Sequence, residues 1–439
     1  MTRRKKMGDT SRKSDTPNSL TRRRFIRNAG AAAAVTLAAK PAAPLLARYS
    51  GPNERLGVGF IGCGGRSGAH FGSVHWLKTQ AKEHVEIVAA CDVYRPRLEK
   101  RIEAYGGKPY MDHRELVADP NVDIVCISTP DHHHGYQALD AVRAGKDVFC
   151  EKPVTHWRQF ELTKRLAKEV KKTGAVFQLG TQGMSDSAWR GMKKLIDAGL
   201  IGQPIHAECG FFRVGDWGEV GMPIDDQNAK PGPELNWQAF LGDAPKRPFD
   251  VSRFFRWRMY EDYAGGPSTD LFPHSLTPVL YMLGARMPSR VVATGGMFRY
   301  TQREVPDTFN MLIDYPEKIT IAVLGTQGNN DQATGKRGSG KRIPVIRGWE
   351  GSLTIEADQI VFTPAKGSTK KPQRFDIESG EDLVEHWRNF LNCCRSRTRD
   401  TYSPMDLAYR VQTALQMGML ALKQNKVATF DKIEEKIIL

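Results

Sequence analysis

Val58-Gly59-Phe60-Ile61-Gly62-Cys63-Gly64-Gly65-Arg66-Ser67 carries an apolar run straight into a glycine turn. Such a turn lets backbone N–H groups and the start of the next helix meet a pyrophosphate. Gly62, Gly64, Gly65 and Arg66 are therefore candidate nucleotide contacts. Ser67 stands at the third glycine position and is small enough for helix–strand packing. Gly57, Gly59 and Gly62 offer a competing register, and a plain glycine-rich turn is the structural alternative. Asp92, at the end of the next apolar run, is placed to accept hydrogen bonds from both ribose hydroxyls. It lies 30 residues beyond Gly62 rather than about 20, so the first helix or its loop must be extended. A carboxylate there favours NAD over NADP, although Arg95 and Arg97 keep NADP open and helix capping is the plainer role.

Asp270 and His274 are four apart, which on a helix is one face. A histidine titrating near neutrality can take a hydroxyl proton during oxidation and return it during reduction, while the carboxylate orients the ring. A surface ion pair is the alternative, and Pro273 marks a helix start. Arg256-Trp257-Arg258-Met259-Tyr260 joins flat apolar faces to guanidinium donors. That mix suits a sugar ring or an acidic sugar, and equally an aromatic core strip with surface arginines. Arg256, Trp257 and the nearby Tyr263 are the candidate substrate contacts. His132, His133 and His134 are consecutive, so their side chains are expected to point in different directions, and no metal site is expected. Cys63, Cys91, Cys126 and Cys150 sit at or near the ends of apolar runs and read as small buried hydrophobes, with no zinc or disulfide spacing.

These residues need a scaffold. From Arg55 to about Gln182, short β-branched runs (Leu56–Ile61, Val85–Cys91, Val122–Ser128, Asp147–Cys150, Ala175–Leu179) alternate with amphipathic helical stretches. That alternation predicts a parallel sheet covered on both faces. After residue 183, runs such as Ile205–Val214, Arg290–Phe298, Thr308–Tyr315, Ile319–Gly325 and Ser352–Phe362 predict a mostly antiparallel sheet with a few helices. Residues 326–347 read as a long mobile loop, and helices are expected near 381–395 and 404–424. The expected division is 1–50 as leader and linker, 51–182 as a Rossmann domain, and 183–439 as an α+β domain, to which the family resemblance described next adds substrate binding and oligomerisation.

Thr129-Pro130-Asp131-His132, Glu151-Lys152-Pro153 and Gly265-Gly266-Pro267-Ser268-Thr269-Asp270-Leu271-Phe272-Pro273-His274 follow the glycine turn in order. With these motifs the chain resembles the Gfo/Idh/MocA oxidoreductases over nearly all of its length after residue 54. The resemblance implies an NAD(P)-dependent enzyme. Thr129, Pro130, His132, Glu151, Lys152 and Gln182 would lie along the cofactor, with Lys152 beside the nicotinamide and the substrate hydroxyl. Lys152, Asp270 and His274 would be the catalytic group. An ammonium at that place stabilises an alkoxide as hydride leaves and relays its proton. Pro267 and Thr277 replace the family's usual third glycine and later acidic residue, which alters substrate contacts more than proton chemistry. The resemblance also implies pairing of copies through the open face of the second sheet.

The net charge of +15 over 439 residues is concentrated at the start, since residues 1–40 carry eleven Lys and Arg against Asp9 and Asp15, a net +9 that leaves +6 for the remainder. That distribution argues against a nucleic-acid partner. Thr21-Arg22-Arg23-Arg24-Phe25-Ile26-Arg27 and the apolar run Ala29–Ala39 have the layout of a twin-arginine export signal. The expected partners are the export machinery and a sugar-like small molecule, and the expected location is periplasmic, or membrane-anchored if the signal stays uncleaved. A periplasm has no free NAD pool, so an exported enzyme must hold its cofactor and recycle it. Oxidation of one sugar coupled to reduction of a second carbonyl compound would do this. So would glycoside cleavage by oxidation, elimination and reduction. A binding protein that has kept the fold without catalysis is the remaining alternative.

Overall fold

The computed structural model describes residues 55–215 and 222–439. The leader over residues 1–50, with its export motif, lies outside the described residues.

Six strands alternate with helices in the first half: β1 (Leu56–Ile61), α1 (Gly65–Thr79), β2 (Val85–Cys91), α2 (Arg95–Tyr105), β3 (Lys108–Tyr110), α3 (His113–Ala118), β4 (Ile124–Ile127), α4 (Asp131–Arg143), β5 (Asp147–Cys150), α5 (Phe160–Thr173) and β6 (Phe177–Leu179). They form one sheet in the order β3-β2-β1-β4-β5-β6, and every pairing is parallel. This is the strand order of a Rossmann fold, with β1 beside the switch in direction. β1 is buried at every position, as a central parallel strand covered on both faces must be. Gly57 and Gly59 lie inside β1, where added Cβ atoms would stand 2.0 Å from the Asn121 carbonyl and 2.8 Å from Leu116. They serve strand packing, so the nucleotide turn begins at Gly62. β3 and α3 are too short to announce themselves in the periodicity.

The second half holds α6 (Ser187–Asp197), β7 (Pro204–Val214), α7 (Trp237–Leu241), α8 (Val251–Phe255), α9 (Pro267–Asp270), α10 (Phe272–Leu283), β8 (Arg290–Gly296), β9 (Thr308–Tyr315) and β10 (Ile319–Thr326). Next come β11 (Val345–Gly348), β12 (Gly351–Glu356), β13 (Gln359–Pro364), β14 (Gln373–Asp376), α11 (Leu383–Ser396), α12 (Met405–Gln424), β15 (Ala428–Asp431) and β16 (Lys436–Ile438). The large sheet runs β14-β13-β12-β11-β7-β10-β9-β8-β15-β16. It is antiparallel except where β7 meets β10. Its inner face (Phe309, Met311, Ile313, Ile321, Val323) packs with α10 and α12 residues such as Leu276, Leu280, Leu415 and Met419.

Three expectations change. Ser352–Phe362 is a hairpin rather than one strand, because Ala357 and Asp358 turn the chain with φ of 44° and 60°. Residues 326–347 are ordered: Lys336–Arg337 pairs with Lys341–Arg342, and Arg337 donates to both Asp186 oxygens at 2.6 and 3.0 Å. Local composition shows the glycines but not the distant carboxylates that pin the loop. Finally, α11 packs into the Rossmann core, where Trp387 stacks on Phe149 at 4.3 Å, so residues 383–396 depart from the expected second-domain span.

Candidate active site

One cleft of about 1360 Å³ runs from the glycine turn to the α9–α10 junction. At one end Gly62 has φ +92°, and a Cβ there would stand 2.8 Å from the Ser128 carbonyl group. This position therefore needs glycine for its conformation and for the close approach of β4. Gly64 caps α1, and a Cβ on Gly65 would meet nothing within 4 Å. Open space before free helix N–H groups is what a pyrophosphate requires. The Ser67 hydroxyl donates to the Gly64 carbonyl at 2.7 Å and stabilises the turn. Asp92 accepts from the N–H groups of Cys63 at 2.6 Å and Tyr94 at 2.9 Å. Burial pushes its carboxyl upward against the pull of Arg97 and these N–H groups. The residues present thus fit a dinucleotide, whose phosphates Gly62–Arg66 would meet and whose ribose Asp92 would meet.

Arg66 crosses the mouth of the turn, donating to Glu151 at 2.7 Å and Gln182 at 3.2 Å. Glu151 is buried, and burial alone would raise its carboxyl, but Arg66 and His70 hold it well below the usual range. The Trp387 indole N–H donates to His70 Nδ1 at 3.0 Å, and an indole nitrogen only donates. The proton of neutral His70 is therefore on Nε2, which donates to Glu151 at 2.8 Å. Burial and the Arg66 charge keep that ring neutral.

At the other end Lys152 Nζ donates to Asp270 Oδ1 at 2.7 Å and to the Asp270 carbonyl at 2.8 Å. Asp270 also receives Arg213 and Arg258, each at 3.4 Å. Burial works to raise its carboxyl, and Lys152, Arg258 and Arg213 overcome that and hold it ionised far into acid. Gly266 enables this junction, with φ +64° and a Cβ position 2.5 Å from the Pro306 carbonyl. Asp270 ends α9 and His274 lies in the first turn of α10, with Leu271 between them. They do not share one helical face. Asp270 is engaged with the three cations, so the expected Asp270–His274 orienting pair is replaced by an Asp270–Lys152 pair. His274 keeps a buried Nδ1 without a hydrogen-bond partner. Burial and the Lys152 charge lower it to about 3, rather than near neutrality.

Gly62, Gly64, Gly65, Arg66, Asp92, Thr129, Pro130, Lys152, Gln182, Trp257, Asp270 and His274 all line this cleft. Glu151 acts from behind through Arg66. His132 is turned away: its Nε2 meets the Phe240 carbonyl at 2.8 Å, and His133, at 2.6 Å from the same oxygen, lines the cleft instead. Two neighbouring histidines thus converge on one carbonyl, contrary to the expectation of divergence. Among the described residues no cluster suits a metal ion. Arg256 donates to the Met222 carbonyl at 2.9 Å, outside the cleft lining. Tyr263 is fully buried in an aromatic core with Tyr94, Phe240 and Phe254. Arg258 and Arg213 line the cleft where Arg256 and Tyr263 do not. Arg258 stands within the Arg256–Tyr260 run, whereas Arg213 is the penultimate residue of β7, whose approach to Asp270 no local pattern encodes.

Residues 56–181 match the model of an oxidoreductase family with an NAD-binding Rossmann fold, Gfo/Idh/MocA, and residues 185–347 match that family's C-terminal alpha/beta domain. The chain is 29% identical over 323 residues to scyllo-inositol 2-dehydrogenase (NAD(+)) of Bacillus subtilis (strain 168), covering 72% of this chain and 78% of that protein. Against inositol 2-dehydrogenase of Salmonella typhimurium (strain LT2) it is 30% identical, over 41% of this chain and 48% of the relative, so the chain matches about half of that protein. A solved oxidoreductase domain protein from Kribbella flavida shares the fold with a TM-score of 0.65 at 18% identity, covering 86% of this chain and 100% of that one.

Proposed function

The chain belongs to the Gfo/Idh/MocA family and is an NAD-dependent oxidoreductase of sugars or polyols, and from that premise we propose that it oxidises a substrate hydroxyl held between Lys152 and His274. The carrying observation is that Lys152, Asp270 and His274 line the same cleft as the nucleotide turn. When bound, the nicotinamide supplies the hydride acceptor. Lys152 has three N–H donors and spends two on Asp270. The third is available to the substrate oxygen, where it stabilises alkoxide character as the C–H bond breaks. His274, neutral in the free protein, has a lone pair for the hydroxyl proton and releases that proton readily, because burial disfavours the imidazolium.

The twin-arginine pattern Thr21–Arg27 supports export. Export in turn supports a cofactor that stays bound and is reoxidised in place by a second carbonyl compound. Pairing of copies through the open sheet face is supported by Val292 and Leu312, cross-strand neighbours at 36% and 48% exposure. The test is to purify the protein without added cofactor, denature it and quantify nicotinamide. A stoichiometric amount is expected, and its absence refutes retention. Lys152→Ala is expected to abolish turnover while retaining cofactor binding. Release of an aryl alcohol from an aryl glycoside without a second substrate would assign the elimination route.

A further inference from the structure

We propose that the hairpin of residues 336–342 is a substrate-recognition loop, held rigid before any ligand arrives so that Ser339 offers its hydroxyl to a hydroxyl of the sugar or polyol. This rests on the sugar-oxidoreductase reading above and adds to it a recognition residue from outside the catalytic motifs.

Two buried ion pairs hold the hairpin, and the hydride and proton chemistry uses neither. Arg337 reaches Asp186 at 2.6 Å, and Lys341 reaches Glu381 at 2.7 Å. The Asp186 and Lys341 side chains are 0% and 1% exposed. Asp186 also caps α6 by accepting the Ala188 N–H at 3.0 Å, and Glu381 stands just ahead of α11. The hairpin is thus tied to the starts of two helices. An ion pair taken out of water loses hydration that its attraction barely offsets. Two of them in one short hairpin therefore act on its position more than on stability.

What they position is the tip, Gly338-Ser339-Gly340. Gly338 and Gly340 turn the chain with φ of 55° and 108°, and a Cβ on Gly338 would collide with Glu381 Oε2. That same oxygen accepts the Ser339 N–H at 3.0 Å, so one carboxylate fixes both the Lys341 ammonium and the backbone at the tip. Ser339 is exposed and lines the cleft. Its N–H is engaged by Glu381, while its hydroxyl has no partner among the described residues. A Cβ on Gly340 would stand 3.6 Å from the Phe211 ring, and one on Gly183 would stand 2.6 Å from Lys341 Nζ. Phe211 and Gln182, the neighbour of Gly183, line the same cleft. The charges of Glu381 and Lys341 both act on His274, which sets the hairpin beside the proton-transfer end rather than the ribose end. A hydroxyl donates and accepts, as recognition of a polyol hydroxyl requires, and a prepositioned group binds without an ordering cost.

The test uses the full-length protein loaded with NADH, whose fluorescence is titrated with scyllo-inositol, myo-inositol and D-glucose. Ser339→Ala is expected to weaken the polyol that the parent binds best by about 3- to 10-fold, with NADH affinity unchanged. Loaded with NAD, the variant should show KM raised by that factor and kcat near the parent, since Ser339 does not touch the reacting carbon. Ser339→Thr restores a hydroxyl and should regain most of the affinity. Gly338→Ala, which must push the tip off Glu381, should weaken the polyol at least as much as Ser339→Ala. Parent-like polyol binding by Ser339→Ala, or an equal loss of NADH affinity, overturns the proposal, and cofactor reduction by the parent then leaves the oxidoreductase reading standing. Ser339-dependent binding without any reduction of NAD upholds the recognition loop and overturns that reading. If no polyol binds, both fall.

Discussion

Asp270 and Lys152 are paired, yet the structure makes their removal unequal. Lys152 has one carboxylate partner, at 2.7 Å, whereas Asp270 has Lys152 and two arginines at 3.4 Å. At an effective dielectric constant near 20, two unit charges at the shorter distance attract by roughly 6 kcal/mol before desolvation is subtracted. Removing one partner of a buried pair costs about 3–5 kcal/mol when the survivor is left uncompensated. Asp270→Asn leaves Lys152 and Arg258 without the carboxylate they share, so the full cost applies. Lys152→Met leaves Asp270 still held by Arg258 and Arg213, and its expected cost is about 1–2 kcal/mol. The assay is urea unfolding of both single variants and the double variant, compared by midpoint at constant m. Asp270→Asn should be the least stable, and Lys152→Met in the Asp270→Asn background should recover part of the loss. Equal costs, or an additive double variant, would refute the three-cations-on-one-carboxylate account.

Activity carries two further expectations. Because burial lowers His274 to about 3, below the roughly 6.5 of an unfolded chain, its ring stays neutral across pH 5–8, and kcat/KM should show no acid limb near 6.5. By the same sign the unfolded chain binds more protons there, so this residue's contribution to stability declines as pH falls from about 6.5 toward 3. An acid limb near 6.5 that His274→Gln removes would contradict this. In the Trp387–His70–Glu151 chain, His70→Leu strips Glu151 of a buried donor and should weaken NADH binding about tenfold. His70→Gln can still accept from Trp387 and donate to Glu151, and should come within about threefold of the parent. Equal binding by all three, read from NADH fluorescence, would remove His70 from the positioning of Arg66.

Legibility followed the range of the interaction. β1, β2, β5 and β9 begin and end where their apolar runs do, because a strand buried on both faces writes itself as a continuous run, and alternation marks one that is half buried. The glycine turn was equally local: positive φ at Gly62 leaves a direct mark in residue type. The order of the four motifs carried the family, and with it the expectation that Lys152 and His274 meet.

Tertiary structure alone decided which groups face one another there. Nothing near Asp270 in the chain says that its carboxylate serves Lys152, Arg213 and Arg258 instead of His274. Nothing near His132 says that α7 will offer it the Phe240 carbonyl. Residues 326–347 look unconstrained until Asp186 and Glu381 arrive from distant elements to hold Arg337 and Lys341. Sequence by itself determined most of the longer elements, the nucleotide turn and the class of chemistry, because these depend on backbone conformation and on burial patterns along a single segment. Charge pairing and protonation were left to the fold, since burial and the approach of charges a few ångströms apart exist only once separate segments are packed together.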